Sequence, residues 1–294
     1  MFHPARRNFA KPVTPKNVIA CAVAIILCFL CFQLPSCSGA TLSVLVPVPR
    51  VCQNLRQAVS AESIRRLQNY EVVVIIDKSR SMLIEDCPAA NSVEQQDPLA
   101  QLAQSQVSRW QWCQEQLFAM ARQAQEQLPE KFRVITFSGD YTIYDNVDPP
   151  GVNMIFAENH PSGPTIAAHA LKDQLDSYLS RRAVSSRRPK PLLIAVITDG
   201  CPNDPAELKY EIAAATKKMQ DPSEIAITIL QVGHDNRATK LLSDFQQRRY
   251  GSTMKFDIVH CLSFDQLEKT GLVPALASSV GYSGSASNAP EIGM

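Results

Sequence analysis

The sequence predicts an α/β fold: a doubly wound, mostly parallel sheet of six strands flanked by helices. Three observations predict it. Continuous apolar runs such as Glu71–Asp77 (EVVVIID) and residues 191–198 (PLLIAVIT) read as strands buried on both faces. Between such runs lie stretches with apolar residues three and four apart, the spacing of helices that pack on a sheet. The two patterns alternate along the chain, which calls for parallel strands joined by helical crossovers.

In order, residues 53–69 carry Leu55, Val59, Ile64 and Leu67 as the apolar members of a short helix. Glu71–Asp77 is the first strand. Residues 108–128 are helical, with Trp110, Cys113, Leu117, Met120, Ala124 and Leu128 on one face. Phe132–Phe137 (FRVITF) and Tyr141–Val147 are the second and third strands, joined at Gly139 and Asp140. A helix over 165–179 uses Ala168, Leu171, Leu175 and Leu179. Residues 191–198 are the fourth strand, followed by a helix over 205–219 with Pro205 in its first turn, where proline is favoured. Residues 225–232 (IAITILQV) are the fifth strand, 238–247 a helix, 256–260 the sixth strand and 264–280 the last helix. One domain therefore covers 64–280. It follows a linker and short helix at 41–63 and precedes a small-residue tail at 281–294, expected to be disordered.

Composition narrows the function. The chain has 294 residues, 45% hydrophobic and 19% charged, which excludes disorder throughout. Lys+Arg number 29 against 28 Asp+Glu, a net charge of +1, so the strongly basic footprint of a nucleic-acid binder is missing. No nucleic-acid partner is expected.

The N-terminal 40 residues stand apart. Arg6, Arg7, Lys11 and Lys16 precede an uncharged stretch, and within it residues 18–32 (VIACAVAIILCFLCF) are almost wholly apolar. At 1.5 Å per residue this run spans about 22 Å, and extension to Leu34 reaches the lower end of membrane-spanning helices. Basic residues before the run and none after it place the N-terminus in the cytoplasm and the domain outside. Three readings are open: a retained single-pass anchor, a signal peptide cut after Ala40, or a lipoprotein signal ending at Cys37. All three export the domain and bring it to, or through, a membrane.

Of nine cysteines, five lie beyond position 40: Cys52, Cys87, Cys113, Cys201 and Cys261. An odd number leaves at least one free. Cys87 and Cys201 fall in loops at the carboxyl ends of neighbouring strands, where a disulfide would pin one loop to the other; two free thiols are the alternative.

In open α/β sheets, ligands bind beyond the carboxyl ends of the strands, near the point where strand order reverses. The first strand ends in Asp77-Lys78-Ser79-Arg80-Ser81, and an extended segment turns alternate side chains the same way. The fourth ends in Thr198-Asp199-Gly200, and Ser162-Gly163-Pro164-Thr165 precedes a helix. Asp77, Ser79, Ser81, Thr165 and Asp199 form an all-oxygen donor set with two carboxylates. Such a set suits Mg²⁺, which keeps several waters, or Mn²⁺ in its place, and without His or Cys it does not suit zinc.

These three motifs, in this order, resemble a von Willebrand factor A-like domain, over roughly residues 70–280. The resemblance implies a metal-ion-dependent adhesion site, with Asp77, Ser79 and Ser81 matching its first motif, Thr165 its threonine and Asp199 its last aspartate. It also implies a protein ligand whose acidic side chain completes the Mg²⁺ coordination. Ser108-Arg109-Trp110, Gln231-Val232-Gly233 and Phe256-Asp257-Ile258-Val259 are similar to a bacterial and fungal subset of the family. The chain departs from the pattern at Arg80, between the two serines, where a guanidinium is positioned to oppose the cation. It departs also at Pro164, at Cys201 and in the long insert at 83–107.

Two alternatives of other classes accompany this expectation: a structural subunit of an envelope assembly with a vestigial site, and a metal-dependent hydrolase. Enzyme motifs are missing. There is no H-E-x-x-H, Walker A or G-x-S-x-G pattern, and no histidine in the motif loops to activate Ser79 or Ser81. The chain is therefore expected not to be an enzyme. The basic run Arg181, Arg182, Arg187, Arg188 and Lys190 reads as a solvated loop away from the site, and His169 as a packing or surface residue.

Overall fold

A computed structural model describes residues 5–8, 61–89, 106–127, 131–200, 202–246 and 254–280. The apolar segment at 18–34, the linker that follows it, Cys52, Cys201 and the 281–294 tail lie outside the described residues.

The elements follow in chain order: β1 (Ala5–Asn8), α1 (Ala61–Leu67), β2 (Glu71–Asp77), a 3-10 turn (Arg80–Leu83), β3 (Glu85–Pro88), β4 (Gln106–Ser108) and α2 (Arg109–Gln127). Next come β5 (Phe132–Phe137), β6 (Tyr141–Val147), α3 (Pro149–Glu158), α4 (Ala168–Val184), β7 (Leu192–Thr198) and α5 (Pro205–Lys218). The chain continues through β8 (Ile225–Gln231), α6 (Asn236–Gln246), β9 (Val259–Leu262), α7 (Phe264–Thr270) and α8 (Leu272–Ser279).

The main sheet has the order β1-β6-β5-β2-β7-β8-β9. Only β5 and β6 pair antiparallel; every other pair is parallel. The pleat sorts the β2 side chains by parity. Val72, Val74 and Ile76 pack on one face with α1, α2, α3, α7 and α8, and Val73 and Ile75 on the other with α4, α5 and α6. Two cores sandwich one sheet, the doubly wound arrangement expected. Strand order reverses between β2 and β7, since the chain adds strands outward from β2 on one side and from β7 on the other.

The fold departs from expectation in several places. It has seven strands, not six, because Ala5–Asn8 pairs with β6 from Ala5↔Thr142 to Asn8↔Asp145. No apolar pattern marks β1. Its visible side chains are basic and exposed, and they pair with acids, Arg6 with Asp145 at 3.3 Å and Arg7 with Glu158. A strand held by backbone bonds and surface ion pairs leaves no period-two signature. The last strand lies at Val259–Leu262 rather than 256–260. The last helix divides at Gly271, whose φ of 76° breaks the helical path. The Pro149-Pro150-Gly151 stretch opens the unexpected α3, capped by the Asp148 carboxylate, which accepts from the Gly151 amide at 2.9 Å.

Within the insert after β2, strands β3 and β4 pair as a separate antiparallel ribbon. The insert is thereby folded back beside the first motif, and the Arg109 amide that opens α2 donates to the Ile84 carbonyl at 3.0 Å.

Candidate metal centre

The β2–β7 register matches Ile76 with Ile197, so Asp77 and Thr198 leave the sheet side by side at the reversal point. The Thr198 hydroxyl donates to Asp77 Oδ2 at 2.8 Å, and the Ser79 amide donates to Asp77 Oδ1 at 2.7 Å. The second contact is an aspartate turn that bends the chain so that both serines face inward. Ser79 Oγ and Ser81 Oγ are 3.1 Å apart, and Ser81 Oγ donates to Asp199 Oδ1 at 2.9 Å. Four of the five expected residues thus form one continuous chain of polar contacts. Asp77 and Asp199 are each 0% exposed.

Thr165, also buried, sits on the neighbouring loop, which meets the first motif through backbone bonds of other residues. The Ser162 amide donates to the Lys78 carbonyl at 2.7 Å and the Arg80 amide to the Gly163 carbonyl at 3.4 Å, tying the two loops together. Asn203 clamps Thr165 from the other side: its Oδ1 accepts from the Thr165 amide at 2.8 Å, and its own amide donates to the Thr165 carbonyl at 2.7 Å. Asp204 then accepts from the Ala167 and Ala168 amides and seats the start of α4.

Electrostatics divide the site. Burial is the main force on Asp77; together with the nearby Asp199 charge it pushes the carboxyl up to about 7, against the bonds from Ser79 and Thr198 that favour the ionised form. Asp199 has a cationic partner instead. Arg109 Nη1 donates to Asp199 Oδ2 at 2.8 Å, while Nε and Nη2 grip both oxygens of Asp86 at 2.9 and 2.6 Å. Burial acts to lower the Arg109 pKa, but its bonds to the two carboxylates outweigh that and hold it above the ordinary arginine range. Burial likewise acts to raise Asp86, and the Arg109 bonds and charge bring it below the usual carboxylate range.

The donors fit a small hard cation. Mg²⁺–oxygen bonds of about 2.0–2.1 Å at right angles put neighbouring ligand oxygens about 2.9 Å apart. The Ser81–Asp199 oxygen separation of 2.9 Å matches that edge, and the Ser79–Ser81 separation of 3.1 Å slightly exceeds it. Among the described residues no three His, Cys, Asp or Glu side chains group as metal donors, so the site depends on its hydroxyls. When bound, the cation would supply a Lewis-acidic position open to an anionic group.

The expectation for Arg80 changes here, while His169 is a surface residue and Cys87 an unpaired thiol, each within the readings expected. Arg80 is exposed, and the guanidinium that reaches the site is Arg109. Cys87 is a free, fully buried thiol, so no disulfide at Cys87 pins the insert; the Asp86–Arg109 pair holds it instead. The basic run is paired locally, Arg181 with Glu71 at 2.8 Å, Arg182 with Glu224 at 2.9 Å and Arg188 with Glu224 at 3.0 Å. His169 is exposed, 3.5 Å from Glu207.

Sequence reasoning missed Asp86, Asn203, Asp204 and the role of Arg109. One signal was present for Arg109. A cation in the first turn of a helix opposes the helix dipole, so it needs anions elsewhere.

No protein-family model matches the chain, and no curated protein matches it. Among solved structures, a mutant of the PilB minor pilin from Streptococcus sanguinis is similar at a TM-score of 0.39 and 14% identity, over 72% of this chain and 59% of that one. Proximal thread matrix protein 1 from the mussel byssus is similar at 0.37 and 14%, over 71% and 45%. The chain thus spans less than two thirds of either. At these TM-scores the likenesses carry no argument about function.

Proposed function

We propose that the domain is a von Willebrand factor A-like module that binds a protein ligand through Mg²⁺ or Mn²⁺ held by Asp77, Ser79, Ser81, Thr165 and Asp199. The observation that carries this reading is the run of oxygens from Ser79 through Ser81 to Asp199, spaced close to the edge of an octahedron, beside the buried Asp77 at the reversal point of the sheet. Asp77 and Asp199 supply the charge, the serines supply neutral oxygens, and the Thr165 loop is tied to the first motif by backbone bonds. A carboxylate of the partner then takes a remaining position on the cation.

The domain acts outside the cytoplasm in this reading, exported by the apolar segment at 18–34. Among the described residues no helix is long and apolar enough to cross a membrane, and that segment lies outside them. Export constrains β1. A retained anchor would put residues 5–8 and the rest of the sheet on opposite sides of the membrane, so β1 pairing and a single-pass topology exclude one another.

Thermal unfolding of the full-length chain in mild detergent tests the metal reading. Millimolar Mg²⁺ or Mn²⁺ is expected to raise the melting temperature by mass action, and Asp77→Ala and Asp199→Ala to abolish the rise with far-UV circular dichroism unchanged. A wild-type chain indifferent to both ions removes this reading.

One observation favours a second reading, a structural subunit with a vestigial site: the buried Arg109–Asp199 pair already neutralises one of the two carboxylates. Indifference of the wild-type chain to metal would leave that reading in its place.

A further inference from the structure

We propose that Arg109 is a tethered counter-ion that sets the cation affinity of this site, and that Asp86 sets how strongly it does so. The inference rests on the metal reading above and adds a control element to it. The two oxygens of Asp199 face different partners, Oδ1 the Ser81 hydroxyl and Oδ2 the Arg109 guanidinium. Nε and Nη2 of that guanidinium are committed to Asp86.

The guanidinium fork is planar and rigid, so the two carboxylates hold it in one plane from opposite sides. Its place is prepared by the backbone as well. Gly233, at φ 71°, lies against it, and a Cβ there would come within 2.1 Å of Nε. The His234 amide faces Asp86 Oδ2 at 3.5 Å, and the Arg109 side chain is 5% exposed. Substituting metal-site residues alone does not reveal this arrangement, because Arg109 touches the site only through Asp199.

The charges make a prediction of opposite sign for two neighbours. Removing the Arg109 cation strengthens the field at the site and frees Asp199 Oδ2, so cation binding tightens. Removing the Asp86 anion leaves the Arg109 charge uncompensated, so binding weakens. A scaffold role predicts weakening in both.

The experiment measures Mn²⁺ uptake by electron paramagnetic resonance on the full-length chain in mild detergent, with Mg²⁺ competition. Arg109→Gln is expected to tighten Mn²⁺ binding on the order of tenfold and Asp86→Asn to weaken it by a similar factor. Arg109→Lys, which keeps the charge, is expected to stay within about twofold of wild type. Weakening in both Arg109→Gln and Asp86→Asn, or no change in either, overturns the proposal while wild-type uptake leaves the metal reading standing. Should Arg109→Gln fail to fold, Asp86→Asn decides, and binding equal to or tighter than wild type overturns the proposal. No uptake by wild type or any variant overturns both readings.

Discussion

Asp77 and Asp199 leave adjacent strands at the same end of the sheet and are equally buried, yet opposite chemistry supports them. Asp77 is held by neutral donors, the Ser79 amide and the Thr198 hydroxyl. Asp199 is held by a buried guanidinium. Neutral donors leave the cost of burying a charge in place, and the Asp77 carboxyl rises to about 7. An ion pair offsets that cost with charge, at the expense of making each partner depend on the other. One half of the site can release its charge by taking a proton; the other half is charge-paired by its neighbour.

The sharpest way to break this comparison is to neutralise each aspartate in turn without changing its shape, in metal-free protein at pH 8. Asp199→Asn should destabilise by about 3 kcal/mol, because it leaves Arg109 with a single carboxylate partner. Asp77→Asn should do the reverse and stabilise by about 1–2 kcal/mol, because it removes a buried charge that has no cationic partner. Urea denaturation reads both. Destabilisation of similar size in the two variants would erase the contrast.

An effect of comparable size follows from the pH dependence. The Asp77 carboxyl binds its proton more tightly in the folded than in the unfolded chain, about 7 against 3.8, so its contribution to stability is full below pH 3.8. That contribution is lost as pH rises through 7, at no more than about 1.4 kcal/mol per pH unit. Metal-free protein should therefore lose stability from pH 5 to 8 in urea titrations, and Asp77→Asn should flatten that slope. An unchanged slope in the variant would assign the titration elsewhere. The smallest effect belongs to Arg80. Its side chain is exposed and lies outside the polar chain of the site, so Arg80→Gly should shift the Mg²⁺ midpoint by less than about 0.5 kcal/mol.

Much of this contrast is invisible in the linear sequence. The strand runs at Glu71–Asp77 and Phe132–Phe137 were legible because the sheet there is buried on both faces and demands apolar residues. Asp77, Ser79, Ser81 and Asp199 were legible because they follow such runs directly. Asp86 was not, since it sits in a polar insert where no period distinguishes a structural acid from a solvated one. β1 was hidden for a similar reason, and so was α3, whose two prolines read as a break until Asp148 is seen to cap it. Pro205 opening α5 is the same device, recognised there because an apolar helical pattern follows it.

The edge strand β1 carries a consequence for maturation. Arg7 and Glu158 meet across 151 residues of chain, so this pairing is among the most distant contacts in the fold and carries a large loop-closure cost. A domain that assembles β2, β5 and β7 first gains β1 last, after most of its stability is in place. Cleavage after Ala40 would remove the strand entirely and expose the backbone amides and carbonyls along the outer side of Tyr141–Val147. An N-terminus kept in the cytoplasm during export would leave that edge, the one flanked by an antiparallel pair, equally bare.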